Sequence, residues 1–136
     1  MKIYFSASIR GGREQVDIYA QIIELLKNYG EVLTEHLGQK SLSSYGQVHI
    51  TDEEIFERDI AWVDNADVLI AEVTTASLGV GYEIAHAALS KKKILCLYDQ
   101  PEGKRLSAMI NGNKVLMVKD YKTVEDVSEI LKEFFK

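Results

Sequence analysis

Cysteine is almost absent from this chain of 136 residues; the one present, Cys96, sits inside the apolar run Ile94-Leu-Cys-Leu-Tyr98. An intramolecular disulfide is therefore excluded, and the setting predicts a packed core thiol rather than a nucleophile. Long apolar runs are also missing, and nothing approaches the ~18–20 residues that a membrane span needs. Three histidines (His36, His49 and His86) have no ligand-like spacing with one another or with Cys96, so no metal is expected. Neither G-x-G-x-x-G nor a Walker sequence occurs, which removes support from dinucleotide and ATP readings, and no cofactor is expected. A surplus of positive charge is lacking too. The net charge is −5 with acids and bases mixed along the chain, which argues against a nucleic-acid polymer or an anionic membrane as partner. The chain goes straight into Lys2-Ile-Tyr-Phe-Ser6 without the shape of a cleavable signal, so a cytoplasmic location is expected. With no repeat, linker or low-complexity tract, residues 1–136 read as one domain.

What is present is a regular alternation of strand and helix patterns. Lys2 to Ser8 reads as a first strand, and Val16, Tyr19, Ile22, Ile23 and Leu26 mark an amphipathic helix ending near Tyr29-Gly30. Glu31 to Glu35 is a short second strand, and Leu37 to Gln47, rich in Gly, Ser and Gln, is a loop. Thr51-Asp-Glu-Glu54 resembles a capping box that starts the next helix. Val68 to Val73 is apolar on both faces apart from Glu72, as a central parallel strand should be. A helix from about Leu78 to Ser90 and a strand from Lys93 to Tyr98 follow. Asp99 to Gly112 reads as irregular and holds the only proline, Pro101. Val115 to Lys119 is a last strand and Val124 to Phe135 a last helix. Five strands with helical crossovers imply an α/β doubly wound, Rossmann- or flavodoxin-like parallel sheet with helices on both faces. Ligands in such sheets sit at the carboxyl ends of the strands near the switch point. Three loops are expected to converge there: Ser8 to Arg13, Thr74 to Glu83, and Asp99 to Gly112.

Two acids carry the chemistry. Ile55, Asp59, Trp62, Val63 and Ala66 fall on one face of a helix, which puts a carboxylate on a stripe expected to face the core. That costs free energy unless the acid pairs with an arginine or is used in a reaction, and the pattern leaves both readings open. Glu83 falls in what reads as the first turn of the next helix, where the helix dipole should keep it ionised, as a carboxylate nucleophile must be. The plainer alternative is that Glu83 only complements the dipole. Gly79 and Gly81, two apart, allow backbone to approach a ligand there. Close together, Asp59 and Glu83 would push their pKa values apart, leaving one nucleophile and one proton donor, the logic of retaining glycosidases. The turn Arg10-Gly-Gly-Arg13, after the first strand, offers backbone N–H groups to an anion, or is simply a strand-to-helix turn. Tyr4, early in a strand, reads by default as a core tyrosine with its hydroxyl satisfied.

The runs Tyr4-Phe-Ser-Ala-Ser-Ile-Arg-Gly-Gly-Arg13, Thr34-Glu-His36, Glu57-Arg-Asp59, Ala66 to Thr74, Ser77-Leu-Gly-Val-Gly-Tyr-Glu83 and Leu106 to Gly112 resemble the 2'-deoxynucleoside 5'-phosphate N-hydrolases of the nucleoside 2-deoxyribosyltransferase superfamily. The resemblance implies cleavage of the N-glycosidic bond of a 2'-deoxynucleoside 5'-monophosphate, a small-molecule substrate, to free base and 2-deoxyribose 5-phosphate. It places Glu83 on the family's nucleophile, Asp59 on the acid assisting departure of the base, and Tyr4 on the tyrosine that positions the glutamate. It places Ser6, Ala7, Ser8, Ile9, Arg10, Gly11, Ser77 and Gly79 on substrate contacts. Ser107 and Met109 fall on a segment that reaches a neighbouring subunit's site, so a homodimer is expected. Transferases acting on unphosphorylated nucleosides typically have an aspartate where this chain has Ser77; a carboxylate repels a phosphate and a hydroxyl donates to it, which favours a nucleotide and hydrolysis. The family's mammalian members have Cys-Gly where this chain has Ser6-Ala7, and the methyl of Ala7 narrows the room beside the sugar. The alternatives are a nucleoside 2-deoxyribosyltransferase, a ribonucleotide N-hydrolase acting on a cytidine monophosphate-like substrate, or, in another class, a non-catalytic nucleotide-sensing module.

Overall fold

Two apolar faces of one parallel sheet organise the protein, and each is covered by its own pair of helices. In the computed structural model, residues 1–9, 13–34, 50–99 and 104–136 are described, 13 and 14 by backbone alone. The expected loop 37–47, Arg10, Gly11 and Pro101 lie outside them. The strands are β1 (Lys2–Ala7), β2 (Glu31–Val32), β3 (Val68–Glu72), β4 (Lys93–Tyr98) and β5 (Met117–Asp120). The helices are α1 (Arg13–Leu26), α2 (Asp52–Asn65), α3 (Leu78–Leu89), α4 (Ala108–Asn111) and α5 (Val124–Phe134). The strand order is β2-β1-β3-β4-β5, all parallel, so the order reverses between β1 and β3.

Alternation along β1 decides what each face receives. Ile3 and Phe5 point to one side, where they join Tyr19, Ile22 and Leu26 of α1 and Val127, Leu131 and Phe134 of α5. Tyr4 points to the other side, where Val63 of α2 and Val80, Ile84 and Ala87 of α3 pack. Each fully buried aliphatic or aromatic side chain contributes about 1.5–3 kcal/mol relative to an exposed one. β3, central and buried at all five positions, is the strand whose loss would cost most. Cys96 is buried among these side chains, and burial pushes its thiol up to about 12, as a core thiol requires.

The helix ends follow from local chemistry. Thr51 caps α2, its hydroxyl accepting from the Glu54 N–H at 3.1 Å, and Asp52, Glu53 and Glu54 complement the dipole. The expected box is half formed there: the Glu54 carboxylate accepts from the Thr51 hydroxyl at 3.2 Å. A complete box stands instead at Thr123 and Asp126, opening α5. The last turn of α2 has no basic residue of its own; Lys92 serves it from outside, donating to the Asp64 and Ala66 carbonyls at 3.0 and 2.7 Å. Gly30 answers a packing need, since a Cβ there would meet the Met1 carbonyl oxygen at 2.3 Å.

Three boundaries differ from expectation. β2 spans two residues rather than five. β5 starts at Met117, opposite Leu95, rather than at Val115, which is 70% exposed. The segment after β4 is not irregular throughout, because Ser107 caps the short helix α4 with its hydroxyl accepting from the Met109 N–H at 3.2 Å.

Candidate active site

At the switch point between β1 and β3 lies a cavity of ≈ 700 Å³. Its floor comes from Tyr4 and from Ala7, Ser8 and Ile9 at the end of β1. Thr75 to Val80, between β3 and the first turn of α3, form one wall. Ile55, Phe56, Asp59 and Ile60 of α2 form another, and Tyr82 and Glu83 of α3 complete it. Two of the three expected loops therefore meet there. The described part of the third does not: Arg105, Leu106, Ala108, Asn111 and Gly112 line a separate hollow of ≈ 330 Å³ beside Tyr98. Ser107 and Met109 accordingly do not line this chain's own cavity, and Met109 is 81% exposed.

Glu83 is the best-held group in the cavity. It stands in the second turn of α3, not the first, because the helix begins at Leu78. The dipole argument for its ionisation thus gives way to side-chain bonds. The Tyr4 hydroxyl donates to Oε2 and the Ser6 hydroxyl donates to Oε1 at 2.8 Å. Burial pushes the Glu83 carboxyl above its ordinary value, the two hydroxyls pull it back, and the negative charge of Asp59 pushes it up further. The Tyr4 hydroxyl is itself driven well up by burial and by the Glu83 and Asp59 charges, so it stays a protonated donor. Ser6, expected at the substrate, is fully buried and absent from the cavity lining.

Asp59 is half-buried and faces the cavity rather than the sheet. It pairs with its neighbour Arg58, whose Nε and Nη2 both reach Oδ1 at 2.9 Å. Arg58 in turn lies over the Trp62 ring, 4.8 Å from the centroid. Ser77 caps α3, its hydroxyl accepting from the Val80 N–H at 3.2 Å, so the helix's N-terminal N–H groups open on the cavity wall. A Cβ at Gly79 would meet nothing nearer than the Ser77 hydroxyl at 3.9 Å, so the space above it is open to a ligand.

Sequence reasoning missed several lining groups. Phe56 and Tyr82 meet edge to face at the mouth, centroids 5.9 Å apart, and offer apolar rings to a flat ligand. Thr34, buried after β2, accepts from the Phe5 N–H at 2.8 Å and donates to the Phe5 carbonyl at 2.5 Å. On the opposite face of the sheet, buried Glu72 accepts from the Thr74 N–H and hydroxyl at 2.7 and 2.8 Å and from the Tyr121 hydroxyl. Its place as the odd acid in an apolar strand was the signal. No group of three or more His, Cys, Asp or Glu able to hold a metal occurs among the described residues, and no described helix is long and apolar enough to cross a membrane.

The family model described as nucleoside 2-deoxyribosyltransferase matches residues 3–126. A protein of Esox lucius named 5-hydroxymethyl-dUMP N-hydrolase is 50% identical, over 100% of this chain and 97% of its own length. The Homo sapiens protein of the same name is 43% identical, over 98% of this chain and 79% of its own length. The solved structure of the Clostridium botulinum CMP N-glycosidase shares the fold, with a TM-score of 0.70 at 15% identity over 98% of this chain and 99% of that one.

Proposed function

The chain belongs to the nucleoside 2-deoxyribosyltransferase family, and from that premise we propose that it hydrolyses the N-glycosidic bond of 2'-deoxynucleoside 5'-monophosphates. The observation that carries the reading is Glu83, a desolvated carboxylate held by the Tyr4 hydroxyl in the same cavity as Asp59. A glutamate so held has one competent role toward a sugar: its oxygen attacks C1' as the bond from C1' to the base nitrogen breaks. Asp59 is the group that gives a proton to the departing base, which leaves neutral. Water then attacks C1' of the glycosyl ester and gives a proton to the Asp59 carboxylate, so that Glu83 leaves as a carboxylate and 2-deoxyribose 5-phosphate is released. For the 5'-phosphate, the N–H groups at the start of α3, the Ser77 hydroxyl and Ser8 supply donors on the cavity wall beside Ile9; Arg10 and Gly11 are assigned to the phosphate by the family resemblance alone.

The active unit in this proposal is a homodimer whose sites are shared. Leu78 and Leu89 of α3 are 97% and 86% exposed, with Tyr82 between them on the same side of the helix. A stripe of that kind is a surface for another chain. With Met109 also exposed and outside its own cavity, a neighbour's α4 is the group that completes the phosphate end.

Glu83→Gln tests the chemistry. The amide keeps the shape, removes the nucleophile and relieves repulsion with a phosphate, so turnover disappears while a deoxynucleoside monophosphate still binds. Retention of more than a tenth of kcat, less than about 1.4 kcal/mol of barrier, overturns the assignment.

A further inference from the structure

Ser6 stands two residues after Tyr4 on β1, so the two side chains leave the strand on the same face. Ala71 is its partner in register on β3. The Ser6 side chain is fully buried and does not border the cavity, so a ligand there meets Glu83 before it meets Ser6. A serine has one proton to donate, and this one goes to Glu83 Oε1 at 2.8 Å, while the Tyr4 hydroxyl goes to Oε2.

We propose that Ser6 is a positioning residue for Glu83, the second of two clamps that together fix the plane of the carboxylate and hold it ionised. The inference rests on Glu83 being the nucleophile. One clamp leaves the carboxylate free to turn about its last torsion, which is broad and roughly two-fold; two clamps on different oxygens stop that rotation. They also oppose burial. Among the described residues, the charged and titratable groups on this side of the sheet include Tyr4 on β1, Asp52, Arg58, Asp59 and Asp64 on α2, Tyr82 and His86 on α3, and Cys96 and Tyr98 on β4, and β3 presents Leu69 and Ala71 there. Of these, Tyr4 is the only other donor bonded to Glu83, and Asp59 works against its ionisation. Without Ser6, burial and the Asp59 charge face a single hydroxyl.

The test is a titration of the Glu83 carboxyl by carbon-13 NMR in the free protein, its signal identified by its loss in Glu83→Gln, beside the pH profile of kcat/KM. In Ser6→Ala the midpoint moves up by about one pH unit, the scale of one lost hydrogen bond to an ionised group. The acid limb of kcat/KM moves with it, so activity falls about tenfold on the acid side and much less on the plateau, with KM there unchanged. Ser6→Cys, a weaker donor of similar volume, moves both in the same direction by less, and serves if the alanine variant does not fold. A folded Ser6→Ala protein whose Glu83 midpoint stays in place overturns the proposal, as does a KM that rises equally at every pH, which marks a substrate contact. A midpoint that moves while the acid limb does not leaves the clamp standing and overturns Glu83 as nucleophile.

Discussion

Asp59 and Glu83 share a cavity but are held in different ways, and the difference assigns them different tests. Glu83 is gripped by neutral hydroxyls, Asp59 by a cation whose two nitrogens converge on one oxygen. The two readings that the sequence leaves open for Asp59 are therefore compatible: it does pair with an arginine, and it still borders the cavity. If it protonates the departing base, Asp59→Asn lowers kcat more than it raises KM, by roughly the 10²–10⁴-fold typical of general acids. The loss shrinks for a base that leaves readily unprotonated. Steady-state kinetics with one good and one poor leaving base checks this, and equal losses for both assign Asp59 a structural part only. The Tyr4–Glu83 and Ser6–Glu83 bonds join positions 79 and 77 residues apart, so no local pattern holds them; the family resemblance placed Tyr4 beside the acid, and nothing in the sequence placed Ser6 there.

Elements were more legible than contacts, because apolar periodicity records which face is buried over many residues at once. The stripe of α1 and the apolar run of β3, interrupted only at Glu72, marked their elements within a residue or two at most ends. Where the pattern misled, the reason is local. Val115 extends an apolar run but lies outside the ladder, and α4 is four residues long, too short to show a period. The two-residue β2 is brief because the Thr34 hydroxyl does the bonding a further strand residue would do. The turn after α3 also carries an uneven choice of residue. Lys91 has φ 60, the left-handed region that costs an L-residue roughly 1–2 kcal/mol and is usually given to glycine at this place. Lys91→Gly, at an exposed side chain, is expected to stabilise the fold by about 1 kcal/mol net of glycine's added freedom in the unfolded chain, and to raise Tm by roughly 2–5 °C. Thermal unfolding with unchanged kcat is the check; a lower Tm means that the lysine stem makes contacts worth more than the strain.

For the molecule as a whole, the proposed shared site has a direct assay. Glu83→Gln alone and Ser107→Ala/Met109→Ala alone are each expected to be inactive or nearly so, the second because the neighbour's phosphate end is lost. Mixed and allowed to exchange, they form dimers in which one site carries only wild-type residues, so at most one site of each mixed dimer works. A random mixture of equal amounts is half mixed dimers, so recovery approaches roughly a quarter of wild-type activity per chain. The quantity follows from counting sites under closed two-fold symmetry. No recovery after demonstrated exchange, or full activity in a monomer at working dilution, rules out sharing.

The short β2 has a consequence for how copies of the chain avoid one another. A long open strand edge is a template for indiscriminate pairing and fibril growth. Among the described residues, one border of this sheet offers only Glu31 and Val32, with the Leu33 N–H already spent on Ile3 and the Thr34 hydroxyl blocking Phe5. The other border, β5, ends in Lys119 and Asp120, and Lys119 is within 3.8 Å of Glu133. Backbone-to-backbone polymerisation is thus discouraged at both described rims, and the proposed dimer would draw instead on the exposed apolar stripe of α3.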